Sequence, residues 1–222
     1  MNSIVFVPIK KISKRVHGKN LRPLGGIPLY QHMLSKLKQV GFDTIVVDTD
    51  SDEIINWCSQ NDIVAIQREP WYASDEANGN DLLNYHASLF SAFDLYFQVF
   101  VTAPFLSVET MRGCLEFLKY TSACDSIFTA QKHPGWFWMD GNPVNYQPSL
   151  LPRSQDAKFL IQETTGLYGI KKSALEKYKQ RITKSLRTKN RKIAYEIMPS
   201  TLETIDQALY NWVDESLDIS AT

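Results

Sequence analysis

Short apolar runs rich in β-branched residues alternate along this chain with segments whose apolar positions recur at helical spacing. The first run is Ile4-Val5-Phe6-Val7, and an amphipathic segment begins near Tyr30. Residues 44–49 and 63–66 read as further buried strands, since continuous apolar runs of this length mark strands covered on both faces. Helical patterns span residues 80–93 and 108–120, with a strand between them at 96–102. Strands are expected again at 126–130, 167–170 and 192–198, and helices at 174–186 and 202–214. Asp50 and Glu53 stand at capping-box spacing and predict a helix that starts there, with Asp50 as its cap. Such alternation predicts an α/β fold of three layers, a mainly parallel sheet with helices on both faces. Ligands on such sheets bind at the carboxyl ends of the strands. Neither an internal repeat nor a low-complexity linker divides the sequence, so residues 1–222 read as one domain.

One stretch breaks the alternation. Between Gln131 and Gln162 the composition turns to proline, glycine and aromatic residues, including Trp136, Phe137 and Trp138. Asp140-Gly141 is a tight-turn signal, which predicts a hairpin involving residues 136–139. Aromatic side chains on a protruding segment need cover. A second subunit supplies it if the segment is an arm, and the same chain supplies it if the segment folds back as a lid.

Charge refines the picture. The 24 basic and 24 acidic residues balance, but no acidic residue precedes Asp43, and a second basic region runs from Lys171 to Lys192. No aromatic-basic module accompanies either region, so nucleic acid is not an expected partner. Cys58, Cys114 and Cys124 lie far apart in periodic segments, and the four histidines are scattered. That pattern points to a reducing compartment rather than to disulfides or zinc. The first apolar run is too short for a signal peptide and no run nears the ~20 residues of a membrane span, so a cytoplasmic location is expected.

The chemistry concentrates in residues 8–29. Lys10, Lys11, Lys14, Arg15, Lys19 and Arg22 crowd one loop at the carboxyl end of the first strand. Clustered cations and free backbone N–H groups suit a polyphosphate; the alternative is a solvated basic loop. The stretch resembles the amino-terminal signature of the cytidylyltransferases that activate sugar acids, P-A-R-G-G-S-K-G-L-P-x-K-N-I-R-P-L-G-G-K-P-L. Pro8, Ser13, Lys14, Lys19, Asn20, Arg22, Pro23, Leu24, Gly25, Gly26, Pro28 and Leu29 match it without a gap. The departures are Lys10 for arginine, Lys11 and Ile12 for two glycines, and His17 for proline. Lysine gives up the planar fork of arginine for a point charge.

Other segments extend the likeness. Residues 46–54 resemble V-V-S-T-D-S-x-E-I, and Arg68 with Ala73-Ser74-Asp75 resembles R-P-x-x-L-A-x-D. Val101-Thr102-Ala103-Pro104-Phe105-Leu106 stands where the family has Q-P-T-S-P-L-R, Arg153-Ser154-Gln155-Asp156 where it has R-R-Q-D, and Glu163-Thr164-Thr165-Gly166-Leu167-Tyr168 where it has N-G-A-I-Y. Thr204-Ile205-Asp206 stands in place of a D-I-D metal site.

The resemblance implies a Rossmann-like nucleotidyltransferase fold with an inserted dimerisation arm at about residues 131–162. It implies CMP transfer from CTP to a small acidic acceptor, in a homodimer that uses magnesium. Pro8, Lys10, Ser13, Lys14, Lys19, Asn20 and Arg68 would bind nucleotide, with Lys10, Lys19 and Asp206 catalytic. Thr102, Arg153, Gln155 and Gly166 would meet the acceptor, and Asp206 would hold the metal. Two residues have bland alternatives, a surface ion pair for Arg68 and a helix cap for Asp206. CMP transfer to a phosphonate, or an inactive nucleotide-binding relative, are the other functional readings.

Overall fold

The computed structural model describes residues 1–13, 16–122, 124–154, 156–183 and 194–197. A seven-stranded sheet forms its centre, built from β1 (Ser3–Ile9), β4 (Thr44–Thr49), β5 (Val64–Gln67), β6 (Leu95–Val99), β7 (Ser126–His133), β10 (Leu160–Lys171) and β11 (Ala194–Ile197). Their order is β11-β7-β10-β6-β1-β4-β5. β10 runs antiparallel to both neighbours, and every other pairing in this sheet is parallel.

β1 explains the layers. Val5, Val7 and Ile9 point to one face, where α1 (Leu29–Leu37), α2 (Asp52–Gln60) and α5 (Val108–Tyr120) contribute Leu34, Ile54 and Leu118 to a fully buried core. Ile4 and Phe6 point to the other face and meet Leu83 of α4 (Gly79–Leu89) and Leu175 of α6 (Lys172–Tyr178), while the one-turn α3 (Pro70–Ala73) follows β5. Alternate residues of one strand thus fill two cores, which is why the run lacks polar positions. Cys58, Cys114 and Cys124 are buried and free. Among the described residues no helix is long and apolar enough to cross a membrane.

Several boundaries differ from those predicted. Asp50 is not a cap: α2 begins after Ser51, and the Asp50 carboxylate instead accepts the Lys11 backbone N–H at 2.6 Å. Asp50 stands one residue before the cap position, which Ser51 occupies. α4 starts earlier than its apolar pattern because Asn78 and Asp81 form a reciprocal capping box, and it stops at Leu89. β6 ends at Val99, so 100–102 belong to the loop beyond it. α6 ends at Tyr178, where Lys179 takes a left-handed conformation (φ 54°) that no helix continues. The helix predicted at 202–214 lies outside the described residues.

The inserted segment is narrower than its composition. Residues 131–133 and 160–162 pair across β7 and β10 inside the main sheet, and the excursion occupies 134–159. Within it β8 (Trp138–Met139) and β9 (Asn142–Pro143) form the predicted hairpin. Asp140 and Gly141 both have positive φ, as a two-residue type I′ turn demands. The same solution recurs where Gly25 and Gly26 join β2 (Pro23–Leu24) to β3 (Ile27–Pro28).

Candidate active site

The carboxyl ends of β1, β4, β5 and β6 open onto one cleft of about 660 Å³, a size that suits a small-molecule site. Pro8, Lys10, Ser13, Lys19, Asn20, Arg68 and Thr102 all line it. The loop after β1 is fastened at three points. Asn20 is buried and donates to the Lys10 carbonyl at 2.8 Å, the Lys10 ammonium donates to the Ser74 carbonyl at 2.8 Å, and Lys11 N–H reaches Asp50. Behind the cleft lining, Lys36 of α1 donates to the carbonyls of Pro104 and Leu106, which seats the turn after Thr102. Burial lowers the pKa of Lys36, and Glu109 opposes that shift.

Arg68 is no surface residue. Its side chain is 1% exposed, and its Nε donates to Asp48 Oδ1 at 3.1 Å while Nη2 donates to the Asp48 carbonyl at 2.9 Å. The other Asp48 oxygen accepts from His86 Nε2 at 2.7 Å, and the His86 ring stacks on Phe6. Burial alone would raise the pKa of Asp48, yet the His86 hydrogen bond and the Arg68 charge outweigh it and hold the carboxyl below its ordinary value. Asp43 is also lowered, first by hydrogen bonds from the Ser3 hydroxyl and backbone N–H.

Both carboxyls therefore bind protons less readily in the folded than in the unfolded chain. Their stabilisation is present above the ordinary carboxylate pKa near ~4 and is lost as pH falls through the lowered folded values. Urea midpoints should hold between pH 7 and 5 and drop steeply below about pH 4. A midpoint that is flat down to pH 3 would refute this.

The cleft contains residues that the sequence did not single out as site residues. Asp50, Asp75, Phe100 and Thr165 line it, and so does Arg181. Arg181 stacks its guanidinium on the Tyr168 ring at 3.7 Å and directs Nη1 to Gln98 Oε1 at 3.3 Å. The visible signal for Arg181 was the second basic region, but the predicted helix hid its path. Other predicted residues lie elsewhere. Arg153, on the excursion, is exposed and pairs with Asp156 at 2.6 Å, away from the cleft of its own chain. Gly166 does not line the cleft; a Cβ there would sit 3.0 Å from Thr129 Oγ1, so the glycine serves close packing of β10 on β7. Lys14, Gln155, Thr204 and Asp206 lie outside the described residues. Among the described residues no three acidic, histidine or cysteine side chains converge as a metal cluster.

An open, mostly parallel sheet with a lysine-bearing loop at its first strand end is the architecture of an α/β nucleotide-binding enzyme. Its fold matches a solved CMP:2-keto-3-deoxy-manno-octonic acid synthetase complexed with CTP, with a TM-score of 0.62 at 15% identity, over 97% of this chain and 100% of that one. A family model for cytidylyltransferases matches residues 4–208, and the chain belongs to that family. A CMP-N,N'-diacetyllegionaminic acid synthase of Legionella pneumophila is 30% identical over 150 residues, 61% of this chain and 62% of that protein. A 3-deoxy-manno-octulosonate cytidylyltransferase of Nitratiruptor is 23% identical over 191 residues, 79% of this chain and 78% of its own length.

Proposed function

We propose that this protein transfers CMP from CTP to a sugar acid of the sialic, legionaminic, pseudaminic or Kdo class. The observation that carries the reading is the cleft itself, where a cytidylyltransferase-family loop presents Lys10, Lys19 and Asn20 beside Arg68 and Thr102. The names of the relatives supply the acceptor class, since the Legionella and Nitratiruptor proteins are each named for an acid. An acceptor oxygen attacks the α-phosphorus of CTP in line and, where it is a hydroxyl, gives up its proton to water. The new P–O bond forms as the bond to the β-phosphate breaks, and pyrophosphate leaves with the electron pair. Such chemistry asks for alignment and charge neutralisation more than for covalent catalysis. Lys19 and Lys10 face the charge that develops on the leaving group, while Asn20 holds the loop in shape through the Lys10 carbonyl. Pyrophosphate release from CTP, measured against a panel of these acids, tests the proposal. CTP binding without release from any acid or phosphonate would mark an inactive nucleotide-binding relative instead.

The carboxylates Asp50 and Asp75 line the same cleft, and magnesium asks for only one or two carboxylates beside phosphate oxygens and water. The donor set fits, with Asp206 as the further ligand that the family motif implies. When bound, the ion would neutralise phosphate charge and acidify the attacking group. Asp206→Asn keeps the shape and the capacity to cap a helix. It is expected to raise the magnesium needed for half-maximal pyrophosphate release about tenfold, ~1.4 kcal/mol of lost affinity, while melting without nucleotide stays unchanged. An unaltered magnesium requirement would place the metal elsewhere.

The working unit is a homodimer joined through the excursion at 134–159. Trp138, Met139, Leu150 and Leu151 are all more than half exposed there, an apolar surface of the kind that partners cover. Deleting residues 134–148 should give a monomer with poor activity, read by sedimentation at micromolar concentration. A monomeric intact protein would overturn this.

A further inference from the structure

The cations of the cleft fall into two groups. Lys10 and Lys19 belong to the loop after β1, and Arg68 stands at the end of β5, beyond β4. Arg181 is on the opposite side. It lies over Tyr168 of β10, two strands from β1 in the sheet order, an offset of roughly 10 Å at ~4.8 Å per strand. A triphosphate gripped by the β1 loop leaves that side for the second substrate.

The partners that hold Arg181 among the described residues are uncharged. Its backbone N–H donates to Asn80 Oδ1, its Nη1 to Gln98 Oε1, and its plane stacks on Tyr168 with Phe100 nearby. Gln98 is fully buried and is itself oriented by donating to the Gly79 carbonyl at 3.3 Å. Among the described residues no carboxylate forms an ion pair with Arg181. The phenol of Tyr168 donates to Glu163 at 2.8 Å, and its pKa is pushed up to about 12, chiefly by burial, so it stays neutral. A stacked guanidinium with one edge fixed, and with no carboxylate bonded to it among the described residues, is preorganised for a planar oxyanion, which it can meet with two parallel N–H bonds. Gly79 makes the space: a Cβ there would come within 2.5 Å of Arg181 Nη1.

We propose that Arg181 is the specificity-determining residue that recognises the acceptor's carboxylate, over the β6–β10 side of the cleft. This deepens the CMP-transfer reading and takes from it that the β1 loop holds the triphosphate and that the acceptor is an acid.

The test is calorimetric binding of N-acetylneuraminate and 3-deoxy-manno-octulosonate, each beside its primary amide, to protein saturated with a non-hydrolysable CTP analogue. The wild-type chain should bind at least one acid about 10- to 100-fold more tightly than its amide, the range for hydrogen bonds to a charged group. Arg181→Gln should abolish that preference and leave affinity for the CTP analogue unchanged. Arg181→Lys should keep part of it, because charge survives and the fork does not. Gly79→Ala should mimic Arg181→Gln by unseating the guanidinium, whose flexible end can yield without disturbing the fold.

Retention of the acid preference by Arg181→Gln would overturn the proposal, as would a wild-type protein that binds both acids no better than their amides. Equal losses for acid and CTP analogue would assign Arg181 to the nucleotide and overturn it too. Pyrophosphate assays on the same proteins separate the two readings. Release that is equal in wild type and Arg181→Gln sinks this inference and leaves CMP transfer standing. Arg181-dependent acid binding without any release does the reverse.

Discussion

Asp48→Ala is expected to destabilise the protein by about 3–5 kcal/mol, the usual result of removing one partner from a buried ion pair. Asp48 is completely buried and serves two partners at once, the Arg68 guanidinium and the His86 ring. His86 Nδ1 already lacks a partner among the described residues, and loss of the Asp48 carboxylate would strip Nε2 of its partner as well. Arg68 would keep its bond to the Asp48 carbonyl but lose its counter-charge in a low-dielectric setting. Asp48→Asn tests charge apart from shape. It should destabilise less than alanine, although its amide must turn an N–H toward one of two donors. Urea denaturation followed by far-UV circular dichroism reads both. A loss below ~1 kcal/mol for Asp48→Ala would mean that the pair is as dispensable as a surface one.

Lys19→Ala should cost activity rather than stability. Lys19 lies on a short helical turn at the cleft, after Gly18 in a left-handed conformation (φ 62°). Removing a preorganised charge aimed at a developing oxyanion typically lowers turnover about 100- to 1,000-fold. Stability should change by no more than ~0.5 kcal/mol beyond the few contacts that Lys19 makes, as for most partly exposed positions. Initial rates of pyrophosphate release at saturating CTP, beside a melting curve, separate the two effects. Wild-type turnover in a folded variant would remove Lys19 from the mechanism.

The fold was legible because its strands advertise themselves. Ile4 to Val7 and Thr44 to Thr49 carry apolar and β-branched residues on both faces, and only a strand between two helical layers uses such a run. Helix ends were harder, because caps depend on which donor a side chain meets. Asp50 had the right spacing to cap α2, but Ser51 holds the cap position, and the Asp50 carboxylate meets Lys11 N–H, thirty-nine residues away in sequence. Asn78 capped α4 from outside the apolar pattern that marked that helix. The β1-loop side of the cleft was readable for a local reason: most of the residues lining it there sit on one loop, so their spacing survives folding. Arg181 was not readable. It reaches the cleft only because the chain breaks at Lys179, where no glycine or proline announces a stop. Asp48 on β4, His86 on α4 and Arg68 just past β5 likewise come together only in the fold, and no spacing connects them.

The place of β10 has a consequence for biosynthesis. β6 and β7 do not pair with each other; both pair with β10, which is made after them. While the ribosome is still adding residues before 160, β6 therefore carries a bare edge and β7 has no tie to the older half of the sheet. Open edges of this kind are where nascent chains associate wrongly. Insertion of β10 joins Gln98 to Tyr168 and Ala130 to Glu163 in one event, and such long-range closure is slow. The nascent half-sheet would thus emerge with its β1 loop in place and its Arg181 side still unbuilt, and a chain stalled before residue 160 is the form that chaperones should be found holding.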